Sequence, residues 1–148
     1  LRDVPFETFI AKLPECRKQC GDRAVLRAFH IYADNDRVAK QVAALREGDF
    51  TTFLNLVGES GQSSWEYLQN VIPAGYKEHQ EVAVTIAAAK HFLGGKGAVR
   101  VHGGGFAGTV QAFVPVELLA GFKANMEAIL GEGRCHVLSI RPEGGAVL

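Results

Sequence analysis

A glycine-rich segment is the feature of this 148-residue sequence with the clearest chemical potential: Gly103-Gly104-Gly105-Phe106-Ala107-Gly108. Glycine costs backbone entropy on folding, and a hairpin turn needs only one or two residues with positive φ. A flexible hairpin tip therefore explains one or two of these glycines, but explains four of them in six residues poorly. The alternative, which we favour, is a backbone that approaches a ligand or another loop more closely than a Cβ permits, with N–H groups free to face an anion.

Two familiar nucleotide motifs do not fit this region. Gly103, Gly105 and Gly108 satisfy G-x-G-x-x-G, but that pattern indicates dinucleotide binding only where a helix follows the glycines. Here the alternation over residues 109–114 predicts a strand, so no helix N-terminus faces a pyrophosphate. The Gly95-Lys96-Gly97 stretch is not a P-loop, because no Ser or Thr follows the lysine.

Other chemically capable side chains have plainer interpretations. His102 could donate to a phosphate, but a histidine at a strand end is more often a surface or structural group. Asp34 and Arg37 are most simply a solvated helix pair. Four further histidines lack ligand-like spacing with each other or with acids: His30, His79, His91 and His136. Trp65 and Tyr67 are expected to pack in the core or at a domain interface.

The three cysteines, Cys16, Cys20 and Cys135, are an odd number in a chain large enough to fold without disulfides. This favours a reducing compartment, and we expect a cytoplasmic protein. Cys16 and Cys20 lack a further nearby Cys or His that a zinc site would need, so no metal site is predicted.

Hydrophobic periodicity places the glycine segment between two strands. The spacing predicts helices over residues 22–46, 82–93 and 116–130. A further helix is predicted from Phe50, with Asp49 as its N-cap, to Gly58 or Gly61. Residues 63–67 could form another helical turn. Strands are predicted over 98–102, 109–114 and 135–140. The order of elements indicates an α+β fold, a two-layer sandwich with helices packed on one face of a small, mostly antiparallel sheet.

Composition excludes several classes of protein. Sixteen Lys and Arg residues balance 16 Asp and Glu, and 47% of the residues are hydrophobic, as expected for one soluble globular domain spanning residues 1–148. This neutrality argues against nucleic-acid or membrane-surface partners held by charge. The apolar runs are shorter than the roughly 20 residues that span a bilayer. Because the sequence opens at Leu1 and its one Met is Met126, we expect a piece of a longer protein.

The run from Ala98 to Val110 resembles the third motif of the galactokinase branch of the GHMP small-molecule kinases, usually written A-R-M-T-G-G/A-G-F-G-G. Residues 27–30 and 34–38 are similar to the R-A-x-H-V…E-x-x-R-V helix of that branch, and an Ala-Leu-x-x-Gly-Asp match follows at 44–49. The resemblance covers roughly residues 22 to 140. It departs from the family at residues 58–67, which lack the histidine of the usual S-H-x-S stretch, at residues 72–78, and at Ala107, where glycine is most common.

The resemblance implies the carboxy-terminal, ferredoxin-like domain of an ATP-dependent sugar kinase acting on the anomeric hydroxyl of galactose or a relative. It implies ATP and Mg²⁺ as cofactors, and a sugar and the protein's own amino-terminal domain as partners. The nucleotide loop G-L-S-S-S and the sugar motif G-E-H-x-D-Y do not occur in these 148 residues. No catalytic side chain or metal ligand is therefore assigned here, and Gly103 to Gly108 are assigned as the cofactor-binding segment, which would close the cleft by its backbone.

A second function remains open at this point. Some relatives of the family sense sugar and nucleotide and act through a protein partner without efficient catalysis. An intact nucleotide loop and catalytic aspartate upstream of this sequence would favour the enzyme. Other GHMP kinases share the fold, but the matches at 27–30 and 103–108 favour the galactokinase branch.

Overall fold

The structure, a computed structural model, describes residues 1–106 and 108–143. Within them the chain forms six α-helices and one antiparallel pair of strands. In chain order these are α1 (Phe6–Ala11), α2 (Leu13–Cys20), α3 (Asp22–Glu47), α4 (Phe50–Ser63), α5 (Glu81–Leu93), β1 (Ala98–Val101), β2 (Val110–Phe113) and α6 (Leu119–Leu130). A π-helical turn, Ser64–Leu68, extends α4, and a 3₁₀ turn, Val116–Leu118, precedes α6.

The predicted helices are present with small shifts in their ends. The long helix α3 ends where Gly48 adopts a left-handed conformation with φ of 73°, which glycine accepts without a steric penalty. The prediction of Asp49 as the N-cap of α4 is confirmed, because its carboxylate accepts a hydrogen bond from the Thr52 N–H at 2.9 Å. The Thr52 hydroxyl, which donates to the same carboxylate, lowers the pKa of Asp49, and the bond from the Thr52 N–H adds to this lowering.

The prediction that α4 ends at Gly58 or Gly61 is wrong, because the helix continues through both. Gly61 faces β1, and a Cβ placed on it would lie 2.7 Å from the Cβ of Arg100. Glycine at this position therefore lets the helix backbone approach the strand, and it does not mark a helix end. The helical turn predicted at residues 63–67 is present as the π-helical turn.

The two strands form the predicted hairpin. Their antiparallel register pairs Ala98 with Phe113 and Val101 with Val110, and residues 102–109 connect them. No helix begins at Gly108, because residues 108 and 109 are irregular and β2 follows directly. The strand–glycine segment–strand order, which argues against a dinucleotide-binding turn, is thus confirmed.

Helices contact both faces of this hairpin. Val99 and Val101 belong to the main buried core, with Ile86 of α5 and Met126 of α6. Side chains alternate between faces along a strand, so Arg100 and Phe113 project to the opposite side. There α4 packs against them, with the Phe53 and Phe113 rings edge to face at 5.4 Å. The prediction of helices on one face only is therefore wrong, whereas the α+β combination is confirmed.

The strand predicted over residues 135–140 does not form. The segment has no regular structure, and Leu138 and Ile140 are 86% and 88% exposed. Alternation produces a strand only where a neighbouring edge supplies hydrogen bonds and a face is buried. Neither condition is met for this segment within the described residues, so its prediction is wrong.

A smaller cluster of apolar residues joins the amino-terminal helices. Phe9 of α1 packs with Val25 and Ala28 of α3. The ring of Phe9 meets the ring of Phe29 edge to face at 5.1 Å. In the part of the chain that the structure describes, no helix combines the length and the apolar character needed to cross a membrane.

Candidate functional site

The glycine segment lies at the tip of the β1–β2 hairpin. The ladder extends one step beyond the strands, since the His102 N–H donates to the Thr109 carbonyl at 2.9 Å. His102 itself is exposed, as the surface interpretation predicts. Of the six residues assigned to the site, the structure describes five, and Ala107 lies outside the described residues.

At three of the four glycine positions, the backbone conformation of this chain itself requires or favours glycine. Gly103, Gly105 and Gly108 have φ angles of +63°, +73° and +85°, a region where a Cβ is strained. Gly105 has a second reason, because a Cβ on it would overlap the carbonyl oxygen of Asn70 and lie 2.8 Å from the Asn70 Cβ. These three positions would favour glycine even in a hairpin with no ligand.

Gly104 and Phe106 are different. Gly104 has no positive φ, and a Cβ on it would meet nothing within 4 Å among the described residues. Phe106 is a non-glycine residue with φ of 52°, and its side chain is 48% exposed. A strained backbone under an exposed aromatic ring is unfavourable unless something else requires it. Neither a positive φ nor a close contact requires glycine at position 104, and Phe106 keeps its positive φ although it is not a glycine.

The loop also offers free hydrogen-bond donors. Gly103 and Gly104 are exposed, and within the described residues their N–H groups have no protein acceptor. Successive free N–H groups on a glycine-rich turn suit the oxygens of an anion. In the described ranges, no three or more His, Cys, Asp or Glu side chains gather in a group that could hold a metal ion. The free N–H groups of Gly103 and Gly104 are therefore the candidate contacts of this tip with an anion.

A polar network holds the strand that leads into the loop. Arg100 of β1 donates to the Ser60 hydroxyl at 2.6 Å, and Ser60 donates to the Asp34 carboxylate at 2.6 Å. Ser60 is buried in α4, while Asp34 lies on α3. The chain of donors and acceptors thus links two helices to β1. Charge-assisted bonds of this kind are stronger than neutral ones.

Arg37 belongs to the same network. It contacts the Asp34 carboxylate at 3.2 Å and the Glu59 carboxylate at 3.6 Å, and its side chain is only 16% exposed. The interpretation of Asp34 and Arg37 as a solvated helix pair is therefore wrong. The pair lies between α3 and α4, where desolvation makes an unmatched charge costly.

His30 completes the network and is 3% exposed. Its Nδ1 lies 2.9 Å from the Ser63 hydroxyl, and its Nε2 lies 3.6 Å from the Asp34 carboxylate. Burial lowers the pKa of His30, and the positive charges of Arg37 and Arg100 lower it further. The negative charge of the nearby Asp34 acts in the opposite direction and raises this pKa. A neutral ring suits both contacts: in the tautomer with its proton on Nε2, that N–H faces the carboxylate and Nδ1 accepts from Ser63.

The sequence contained a signal for this network. His30, Asp34 and Arg37 are spaced i, i+4, i+7, which places them on one face of α3. Taken singly, each residue has an ordinary interpretation, and their partners on α4 and β1 are distant in sequence. A polar stripe on a helix that is otherwise packed is the pattern that would have identified them.

The remaining candidates stay outside the site. The cysteines Cys16, Cys20 and Cys135 are all free thiols. Burial raises the pKa of Cys135, with a smaller contribution from Glu127. Trp65 is 37% exposed and borders an open groove of about 440 Å³ together with Arg100. Trp65 is therefore not a core residue, and its place at a domain interface stays a prediction.

Comparison with known proteins agrees with the motif resemblance. No protein-family model matches the chain. Over 117 residues the chain is 33% identical to a galactokinase from Mannheimia succiniciproducens, 34% identical to one from Glaesserella parasuis, and 33% identical to one from Actinobacillus pleuropneumoniae. Each match covers 79% of this chain and 28% of the galactokinase. The chain is thus a distant homologue of a part of galactokinases that makes up little more than a quarter of their length.

Proposed function

We propose that this chain is the carboxy-terminal domain of an ATP-dependent sugar kinase. The enzyme would transfer the γ-phosphoryl group of ATP to the anomeric hydroxyl of galactose or a related sugar. The observation that carries the proposal is the 33–34% identity to three galactokinases over 79% of the chain. The glycine hairpin supports it, because its shape and free donors suit a phosphate-rich ligand.

In this proposal the chain contributes positioning rather than acid–base chemistry. Phosphoryl transfer depends mainly on the placement of the reacting groups and on electrostatic stabilisation. ATP would supply the phosphoryl group, and Mg²⁺ would neutralise its developing charge, with metal ligands from the amino-terminal domain. Gly103 to Gly108 would contact the nucleotide phosphates. Gly104 would lie closest to them, because no contact within the described residues requires a glycine at that position.

The rest of the molecule follows from the same proposal. The hairpin would form part of a larger ferredoxin-like sheet in the complete kinase. The amino-terminal domain would be the partner across the cleft. Three free cysteines fit a reducing cytoplasm.

Expression of the full-length gene product and of residues 1–148 alone tests the function. We expect galactose-dependent ADP release from the full-length protein, with a sugar 1-phosphate product identified by ³¹P NMR. The 148-residue chain alone should release no ADP above a no-protein control at millimolar ATP. A full-length protein that binds ATP and galactose without turnover would contradict the kinase, and turnover by the short chain would place the active site elsewhere than proposed.

A further inference from the structure

A buried asparagine contacts the glycine segment at two points. Asn70 is 3% exposed and follows Gln69, whose left-handed conformation (φ of 54°) ends the helical segment formed by α4 and the π-helical turn. The Asn70 side-chain Nδ2 donates to the Gly104 carbonyl at 3.3 Å. The Asn70 carbonyl accepts from the Phe106 N–H at 3.0 Å. The two bonds bracket Gly105 from either side.

Gly105 is the residue that Asn70 packs against in this contact. The absence of a Cβ lets its backbone lie directly against Asn70. Among the described residues, both hydrogen bonds that join the loop tip to the body of the domain are made with Asn70. Because Gly104 receives the side-chain bond, the orientation of its peptide group depends on the Asn70 amide.

We propose that Asn70 is a positioning residue, which orients the glycine loop for phosphoryl transfer; this inference rests on the proposed function. Its side-chain amide fixes the Gly104 carbonyl and so the placement of the residues before it, where the N–H groups of Gly103 and Gly104 have no acceptor within the described residues. Misplacement of a positioning group by about 1 Å can lower a rate by about 10²-fold. Asn70 acts only through the loop.

The Asn70→Ala variant of the full-length protein tests this. Asn55→Ala is the matched control, because Asn55 lies exposed on α4. We expect kcat to fall at least 10-fold in Asn70→Ala, with KM for the sugar changed less than twofold, and neither value to change in the control. Asn70→Asp keeps the shape but loses the donor, so it should lose activity as well.

Hydrogen exchange supplies a measurement that does not need kinase activity. In Asn70→Ala the Phe106 amide should exchange at least 10-fold faster, while the amides of α5 keep their wild-type rates. Parallel acceleration of the α5 amides would show a general loss of stability and overturn the proposal. An unchanged Phe106 amide, or local loosening without a change in kcat, would overturn it too. An inactive wild-type protein would refute the proposed function instead, and the exchange result would then decide the Asn70–loop contact by itself.

Discussion

Gly104 and Gly105 are adjacent in sequence, and the structure predicts opposite consequences for their substitution. A Cβ on Gly105 would be strained by its positive φ and would overlap the Asn70 carbonyl. The left-handed conformation costs about 1–2 kcal/mol, and forcing a methyl group into a packed site costs about 1–3 kcal/mol. Gly105→Ala should therefore destabilise the fold by about 2–5 kcal/mol.

Gly104 has neither problem within the described residues. Gly104→Ala should change stability by less than about 0.5 kcal/mol, or stabilise slightly by restricting the unfolded chain. If the loop backbone meets the nucleotide phosphates, Gly104→Val should nevertheless lower kcat/KM by about 10²-fold or more, roughly 2.7 kcal/mol of transition-state stabilisation.

Two assays on the full-length protein separate these effects. Urea denaturation followed by circular dichroism gives the free energy of unfolding, and coupled ADP release gives kcat/KM. A folded Gly104→Val variant that phosphorylates galactose within about threefold of wild type, a loss of only ~0.65 kcal/mol, refutes the functional role of this loop. A Gly105→Ala variant as stable as wild type refutes the assignment of Gly105 to the Asn70 contact.

Three further predictions concern the body of the domain. Ser60→Ala removes the group that joins Arg100 to α3, and urea denaturation should show a loss of about 1–3 kcal/mol. Burial lowers the pKa of His30, so the unfolded state binds more protons than the folded state. The free energy of unfolding should therefore fall as the pH drops below 6.5, by at most about 1.4 kcal/mol per pH unit. Urea titrations at pH 7.5 and 5.5 should show that His30→Gln abolishes this dependence. Gly61→Ala should lower the melting temperature through its contact with β1, whereas Gly58→Ala, which faces open space among the described residues, should raise it; equal effects would contradict the role of Gly61.

Local pattern was sufficient for most of the secondary structure. The apolar periodicity of α3 and the cap at Asp49 act within a few residues, so the sequence alone predicts them. Gly61 shows where local reasoning stops, because the cause of that glycine is Arg100, 39 residues away and on another element. The same holds for residues 135–140, whose alternation indicates strand propensity but cannot supply the neighbouring edge that a strand requires.

The candidate site divides in the same way. The glycine density identified the segment, and the strand on each side excluded a dinucleotide-binding turn. The sequence could not distinguish Gly104 from Gly105, because the difference depends on where Asn70 lies. It also missed the polar network, since His30 and Asp34 acquire their roles only when α4 brings Ser60 and Ser63 beside them.

The hairpin is contacted at two places by this part of the chain, once by α4 and once just past the end of its π-helical turn. Ser60 binds Arg100 on the strand before the loop, and Asn70 binds the loop itself. In the π-helical turn the Gln69 N–H donates to the Ser64 carbonyl at 2.9 Å, five residues back instead of four. One added residue rotates the positions that follow by about 100° relative to a regular α-helix. The π-helical turn therefore changes the direction in which the chain leaves the helix at Gln69, so the position of Asn70 against Gly105 depends on this turn.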